Sequence, residues 1–535
     1  MALNNAQQAL NFDSNFDDSS GNNNNGSTTN VTIDTSIKKI GAGSALFNAD
    51  ADKVVLGQPY ASGANNFSVS FWVYFDTAPQ HDDFICSSNK SLAGANNKLL
   101  IAMNNYPSFV AFFCNLRQTV DCNLFSTTQP TTSTWYHVVI TRGGTTAKMY
   151  VNGSLEDTQT CQSGDVIDNS GLVLGQSSTG VSFSRNLDQW MFYNRELSAN
   201  EVQVLYNDGA GFDPYATVTS LNDAEFYLPF DADANDASGN SNNGTLTNGA
   251  SISTATKLLG AGSVEMDNDT GNQYVNLSAH IADVAGNTNG SIALWFRLNE
   301  KNRNQGLVTV GDFGNVSSRF RLAYFNTPDE LNVSINNGSW VIAYETVTNG
   351  FNTNTWYHLV LTQNGTASKL YINGEEAVIT GGSNTNSGNW FASMTNLDTF
   401  RIGARAYSDD WFLDGFVDEF AYYDRALSPA EVYTLYNDGT GFNPYASSIP
   451  SPVDTPNGNQ TWQMTLNDGV ADRTVTFWKT KIFDSWRQDK NGYVWVGGYT
   501  YSLGASLPSP GRTEYYATEP SQQDIVDLFD NTLNQ

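Results

Sequence analysis

Positive charge is scarce in this sequence. Lys and Arg number 26 against 54 Asp and Glu in 535 residues, a formal net charge of −28. Nucleic acid is excluded as a partner on that ground, since neutralising phosphates takes Lys and Arg. Charge of either sign is thin, at 15% of residues, where globular chains carry about 25%. The surface must therefore be largely neutral and polar, and Asn, Ser, Thr and Gly fill the segments between apolar runs. Histidine is rarer still: four residues, with no pair at metal-ligand spacing. No Gly-x-Ser-x-Gly elbow or phosphate-cradling Gly loop is present, which argues against the common hydrolase and nucleotide chemistries. No apolar run is long enough to span a bilayer, so membrane insertion is not expected. Residues 1–20 contain neither a basic stretch nor an apolar one, so a chain made in a cytoplasm without a secretory signal is expected.

Cysteine is also scarce. All four, Cys86, Cys114, Cys122 and Cys161, lie in the first third of the chain. Cys114 and Cys122 flank a turn and could face each other across a hairpin. The alternative is free buried thiols, which a cytoplasmic origin favours.

What the chain does contain, it contains twice. Phe12-Asp13 and Asp18-Ser19-Ser20-Gly21-Asn22 return as Phe230-Asp231 and Asp236-Ala237-Ser238-Gly239-Asn240. Gly41-Ala42-Gly43-Ser44 returns as Gly260-Ala261-Gly262-Ser263, and Trp135-Tyr136-His137 as Trp356-Tyr357-His358. Lys148-Met149-Tyr150-Val151-Asn152-Gly153 returns as Lys369-Leu370-Tyr371-Ile372-Asn373-Gly374. The order is constant and the offset drifts only from 218 at Phe12/Phe230 to 230 at Asp208/Asp438. Each copy is long enough to bury its own core, so this is a duplicated domain and not a short repeat.

Within each copy the signal is strand. Phe67 to Phe75 alternates and is rich in aromatic and branched residues, and Ser291 to Leu298 is its counterpart. Tyr136 to Thr141 and Lys148 to Val151 predict a hairpin, as do Tyr357 to Thr362 and Lys369 to Ile372. Asn-Gly at 152–153 and 373–374 predicts tight turns. Ser198-Ala199-Asn200-Glu201 and Ser428-Pro429-Ala430-Glu431 are capping boxes that each open a short helix. Many short strands with Gly and Asn turns predict an all-β chain of antiparallel sandwiches. The expected domains are a first sandwich over 1–216, a second over 217–446, a Pro-marked linker over 447–457 and a small β-rich module over 458–535. In that module Thr461 to Leu466, Thr474 to Trp478 and Tyr493 to Tyr499 predict strands, and Asp524 to Leu533 a closing amphipathic helix.

Taken together, these motifs and the run Val417-Asp418-Glu419-Phe420 through Glu431-Val432 resemble the laminin-G-like, concanavalin A-like jelly-roll domains, over about 8–216 and 224–446. The resemblance implies a curved two-sheet sandwich and calcium near the acidic N-terminal loop and the Asp-Glu strand. The matching positions are Asp18 and Asp188 in the first copy and Asp236 and Asp418 in the second. Gln189 stands where the second copy has Glu419, which lowers the charge of the first site. The competing reading of these aspartates is turn capping.

A glycoside hydrolase on this fold needs two cooperating carboxylates. No Glu-x-Asp-x-x-Glu run exists, and adjacent Asp418 and Glu419 should point to opposite faces of a strand, so no enzyme activity is expected. His137 and His358 fall in a core strand and read as packing. The aromatics that are not repeated, Trp340, Trp390, Tyr407 and Trp411, fall in or near loop-rich segments, with Arg405 and Asp409-Asp410 close to the last two, and form a candidate sugar-stacking set. The alternative is a hydrophobic plug at one end of the sandwich. The expected function is a non-catalytic virion surface protein, of tail-fibre, receptor-binding or capsid-decoration type, meeting a surface glycan or protein receptor. Other virion proteins or self-association would be served by the C-terminal module. A bacterial cell-surface adhesin or carbohydrate-binding protein, hence an extracellular location, is the alternative.

Overall fold

The computed structural model describes residues 3–516 apart from 50, 58–65, 82, 89–97, 107–108, 118–119, 165–171, 176–184, 217–220, 268–270, 328, 347–349, 378, 385–388, 407, 446–452, 455–459, 468–471, 484–492 and 502–510. Residues Met1–Pro444 make one compact unit and Tyr445–Gln535 a second. Nearly all described elements are antiparallel strands, and no described helix is long and apolar enough to cross a membrane.

The first unit holds two sandwiches built to one plan. In the first, Gln8–Leu10, Phe67–Tyr74, Trp135–Gly143, Thr146–Val151 and Arg185–Tyr193 belong to one sheet; Phe84–Ser88, Lys98–Tyr106, Phe109–Arg117 and Asp121–Phe125 belong to the other. Alternation explains the layering. Val69, Phe71 and Val73 point inward against Ile101, Phe112 and Leu124 of the facing sheet, in one core that closes on Trp190. The second sandwich repeats this with Ile292, Leu294 and Phe296 against Val310, Phe320 and Val333.

The outer face of the first-named sheet is covered in both copies. Helix Ala199–Tyr206 is capped by Ser198 with Glu201 closing the box, and it lays Val202 and Leu205 on Val139, Tyr150 and Tyr193. Helix Pro429–Tyr436 has the same box at Ser428 and Glu431. His137 lies under this cover, tilted against Trp72 at 4.9 Å and stacked on Tyr206 at 6.2 Å, with Ser70 Oγ 2.9 Å from its Nε2. Burial lowers the pKa of His137 and His358 to about 3, so both are neutral core residues, as packing requires.

The Phe-Asp motif also receives a structural account. Phe12 and Phe230 both adopt left-handed backbone, at φ +56° each, with their side chains fully buried. The twist aims the next carboxylate at the Gly turn: Asp13 accepts from Ala42 N–H, and Asp231 from Ala261 N–H.

The two sandwiches meet along a seam made by the two helices. Ala430 and Tyr433 of the second pack into the cluster of Leu3, Leu197 and Leu205 of the first. Leu3 N–H donates to Tyr433 Oη at 2.9 Å. The Asn200 amide bonds both ways, to Gly374 O at 3.0 Å and from Glu376 N–H at 3.1 Å.

The second unit is a five-stranded meander, Val453–Asp454, Gln460–Asn467, Asp472–Phe483, Tyr493–Tyr501 and Gly511–Tyr516. The three predicted strands are there, each longer than expected; the first, Val453–Asp454, inside the expected linker, and the last, Gly511–Tyr516, were not foreseen. Its register puts Trp462, Phe477 and Tyr499 in one row. The helix expected at 524–533 lies outside the described residues.

The hairpin cysteines need correction. Arg117 pairs with Asp121 in the strand register, so Cys122 stands opposite Leu116 and Cys114 opposite Leu124. Cys122 bonds instead to Cys161, which follows strand Ser154–Thr160, while Cys86 and Cys114 are free and buried.

Candidate functional site

Neither seam helix covers the outer face of the second sheet in either copy. In the second sandwich four strands, Thr399–Ile402, Gln305–Gly311, Arg319–Phe325 and Glu330–Asn336, lie side by side there. Their register draws one row across the face: Arg401, Thr309, Arg321 and Ser334. Their chain neighbours Phe400, Ile402, Val308, Val310, Phe320, Leu322, Val333 and Ile335 point the other way, into the core.

Two arginines of that row support aromatic stacks. The Arg321 guanidinium lies 4.9 Å from the Phe325 ring centroid and 5.4 Å from that of Trp411. Phe325 meets Trp411 edge-on at 5.2 Å, and Arg405 covers a Trp411 face at 3.4 Å. Arg401 lies over Tyr274 at 4.6 Å and Phe313 at 5.2 Å, and Phe313 is 46% exposed. Such cation–aromatic contacts contribute about 0.5–2 kcal/mol each and hold the rings in fixed poses. Acidic partners fix the arginines: Arg401 bonds Asp409 at 2.9 Å, and Arg405 bonds Asp410 at 2.7 Å. Trp411 is itself pinned, in left-handed backbone at φ +53° with its carbonyl accepting from Gly306 N–H at 2.7 Å.

Of the sequence-derived stacking set, Arg405 and Trp411 therefore come together. Trp390 does not: it is fully buried in the core against Phe320 and Phe391, and its Nε1–H donates to Tyr422 Oη at 3.2 Å. An aromatic placed there packs and cannot meet a sugar. Trp340 opens strand Trp340–Thr346 opposite Asn336. Tyr407 lies outside the described residues. Arg321, Arg401, Tyr274, Phe313 and Phe325 were missed; the alternation Arg319-Phe320-Arg321-Leu322, with a charge at every second place of a strand, was the signal that could have found the first.

The four aspartates expected to hold calcium do other work. Asp18 accepts from Ala9 N–H at 2.8 Å, Ser20 N–H at 3.0 Å and Asn24 N–H at 2.8 Å. Asp236 repeats this with Tyr227 at 2.9 Å, Ser238 at 2.9 Å and Asn242 at 2.8 Å. Asp188 accepts from Lys39 and Ile40 N–H, and Asp418 from Leu258 and Leu259 N–H. The carboxylate bearing electrostatically on Asp188 is Asp13, not Asp18. Calcium takes about six to eight oxygen ligands. Among these residues Asp188 Oδ1 alone is a buried acceptor without a partner. Among the described residues no group of three or more His, Cys, Asp or Glu is placed to hold a metal. The set does not fit calcium; it caps and ties loops.

Asp418 and Glu419 do not point to opposite faces. Trp295 pairs with Asp418 and Ala293 with Ala421, so Leu294 alone spans Glu419 and Phe420. This β-bulge puts Glu419 at φ +52° and gives the next core place to Phe420. Glu419 then shares the helix-covered face with Trp295, His358 and Ala421, and it bonds the Tyr227 hydroxyl. Burial raises Asp418 to about 7 and Glu419 to about 8. Gln189 occupies the same bulge in the first copy, at φ +51°.

A cleft of about 550 Å³ opens beside the seam. Its two cations are paired within it, Lys148 with Glu196 at 2.8 Å and Arg195 with Glu201 at 2.7 Å.

The chain belongs to the concanavalin A-like lectin/glucanase superfamily: a laminin-G-type model of that family matches residues 48–203 and 269–433, more than half of the sequence. Domain 4 of an extracellular GH43 arabinanase from Geobacillus stearothermophilus, solved with arabinotriose, is 19% identical, covering 39% of this chain and 98% of that one at a TM-score of 0.32. The CBM40 module of the Ruminococcus gnavus IT-sialidase, bound to sialyllactose, is 16% identical over 32% of this chain and 94% of that one, at 0.28. Domains LG4-5 of the mouse laminin α1 chain are 12% identical over 72% and 92%, at 0.23. At such identities the likeness is one of fold. No curated protein matches the chain.

Proposed function

We propose that the protein is a non-catalytic glycan binder that takes sugar on the outer face of the second sandwich. The observation that carries this reading is the platform of Trp411, Phe325, Arg321 and Arg405, held in place before any ligand arrives. Sugar rings lie on aromatic surface through their C–H faces, and guanidinium N–H groups donate to hydroxyls and carboxylates. Pre-fixed side chains lower the ordering cost of binding. Hydrolysis needs two carboxylates about 5–9.5 Å apart and free to act. On this face Asp409 and Asp410 are each held by an arginine, and the Asp418–Glu419 pair is buried on the opposite sheet.

A glycan microarray tests the proposal. The intact protein should bind, and Trp411→Ala or Arg321→Ala should weaken binding about tenfold, roughly 1.4 kcal/mol, with the far-UV circular dichroism of the native fold retained. Equal binding by both variants would show that the platform is not the site. The setting we propose, on the sequence character given above, is a virus particle surface; mass spectrometry of purified virions against host cell-surface fractions decides between that and an adhesin.

A further inference from the structure

We propose that the first sandwich carries a second saccharide site, on the face equivalent to the platform, and that it takes an uncharged sugar. The inference rests on the reading of the chain as a glycan binder and goes beyond it.

Strand registers align the two faces residue by residue. In the first sandwich one row runs Val173, Ser87, Leu100, Asn115, Asn123. In the second the same row runs Arg401, Thr309, Arg321, Ser334 and Ala343. The positions that carry Arg401 and Arg321 in one copy are therefore Val173 and Leu100 in the other. The duplication kept the sheet and exchanged its surface chemistry.

The substituted face is not featureless. It holds a dish of about 240 Å³ floored by Leu100 and Phe113 and rimmed by Ser87, Asn115, Asn123 and Arg117. That is just under the roughly 300–1,000 Å³ of clefts for drug-sized ligands, a size for one or two sugar rings. Phe113 and Phe125 meet at 4.9 Å along one side, with Phe84 and Ala102 continuing the apolar row. Asn115 Nδ2 donates to Asn123 Oδ1 at 2.6 Å, which leaves the Asn115 oxygen and the exposed Asn123 amide to meet hydroxyls. Among the described side chains of the rim the one cation, Arg117, is paired with Asp121 at 3.5 Å. Apolar floor, amide rim and cancelled charge are the complement of a neutral sugar, with C–H faces and hydroxyls and no carboxylate.

The rim is also braced. Strand Asp121–Phe125 is an edge strand, and Cys122, between Asp121 and Asn123, is bonded to Cys161. Phe125 N–H donates to Asp157 at 3.0 Å, and Thr127 and Thr128 N–H to Glu156 at 2.8 and 3.0 Å. The second copy has no cysteine. The disulfide thus braces the strand that supplies Asn123 to the dish.

The test is hydrogen–deuterium exchange of the full chain with millimolar neutral gluco-, galacto-, manno-, xylo- and arabino-oligosaccharides. At least one should protect residues 98–106 and 109–117, in the native protein and equally in Trp411→Ala. Asn115→Ala/Asn123→Ala should lose that protection with about a tenfold fall in affinity, two neutral hydrogen bonds' worth. Leu100→Arg, which installs the second sandwich's charge at the dish floor, should abolish it while leaving binding at the platform intact. Protection that survives in the double variant, or that vanishes in Trp411→Ala, overturns the second site. If no neutral sugar protects these strands while other glycans still bind through the platform, the second site fails and the proposed function stands. If no glycan binds at all, both fail.

Discussion

Breaking the Cys122–Cys161 bond should cost the first sandwich a calculable amount. The two residues are 39 apart in sequence. In the chain-entropy account a cross-link of that span removes about 13 cal/mol/K from the unfolded ensemble, about 4 kcal/mol at 25 °C. Unfolding entropy is about 2.1 cal/mol/K per residue. If Met1–Pro444 melts as the single unit its packing defines, Cys122→Ala/Cys161→Ala should lower the melting temperature by about 4 °C; if the first sandwich melts alone, by about 9 °C. Scanning calorimetry of the variant, beside the native protein with and without a phosphine reductant, makes the measurement. Variant and reduced protein should agree to about 1 kcal/mol. Thiol titration in denaturant without reductant should find two free groups, Cys86 and Cys114, which burial hides in the folded state. Four reactive thiols, or a melting shift below about 1 °C, would refute the reasoning.

Glu419→Gln should flatten the fall of stability with rising pH. Burial raises the folded pKa to about 8, so the folded state holds a proton that the unfolded chain releases near 4.3, and stability drops between those values as pH increases. The difference in melting temperature between variant and native protein should therefore grow from about pH 4.5 to about pH 8; a constant difference sinks the assignment. Calcium and then excess chelator should leave the thermal transition unmoved, because Asp18 and Asp236 spend their oxygens on backbone N–H groups; a calcium-dependent rise would restore the metal site. Trp390→Ala should destabilise the second sandwich by about 3–5 kcal/mol in urea unfolding, as for other buried aromatics, and a loss under 1 kcal/mol would contradict its place in the core. Deleting 447–535 should leave both sandwiches folded and abolish assembly or particle incorporation if that module is the attachment element; unchanged assembly on size exclusion excludes it.

Much of the fold was legible because its signals are local. The capping boxes at Ser198 and Ser428, the Asn-Gly turns and the alternation in Phe67–Tyr74 each follow from a few neighbouring residues. What was not legible depended on pairing across strands. Glu419 and Gln189 carry no glycine to announce left-handed backbone, so the bulge that turns Asp418 and Glu419 to one face is invisible until the partner strand is known. Cys161 lies beyond a strand that must first fold back before it reaches Cys122. Trp390 and Trp411 look alike as unrepeated tryptophans near loops; a 3-10 turn at Phe391–Ser393 sends one inward, while a left-handed residue holds the other on the surface. Repetition separated the two classes of residue only in part: what recurs is scaffold, but what does not recur is either surface chemistry or a local repair of the core.

The seam between the sandwiches makes a caliper of that pair. Two modules on a slack tether reach any pair of epitopes within the tether's length, and their combined grip falls away gradually as that spacing changes. Here Leu3, Asn200, Ala430 and Tyr433 lock the jaws at one opening. With both proposed sites occupied, two glycans at that interval would be held with little further entropy to lose, and two at another interval would be held one at a time. On that proposal, discrimination between dense and sparse glycan coats would come from geometry, and the individual contacts with either sugar could stay weak.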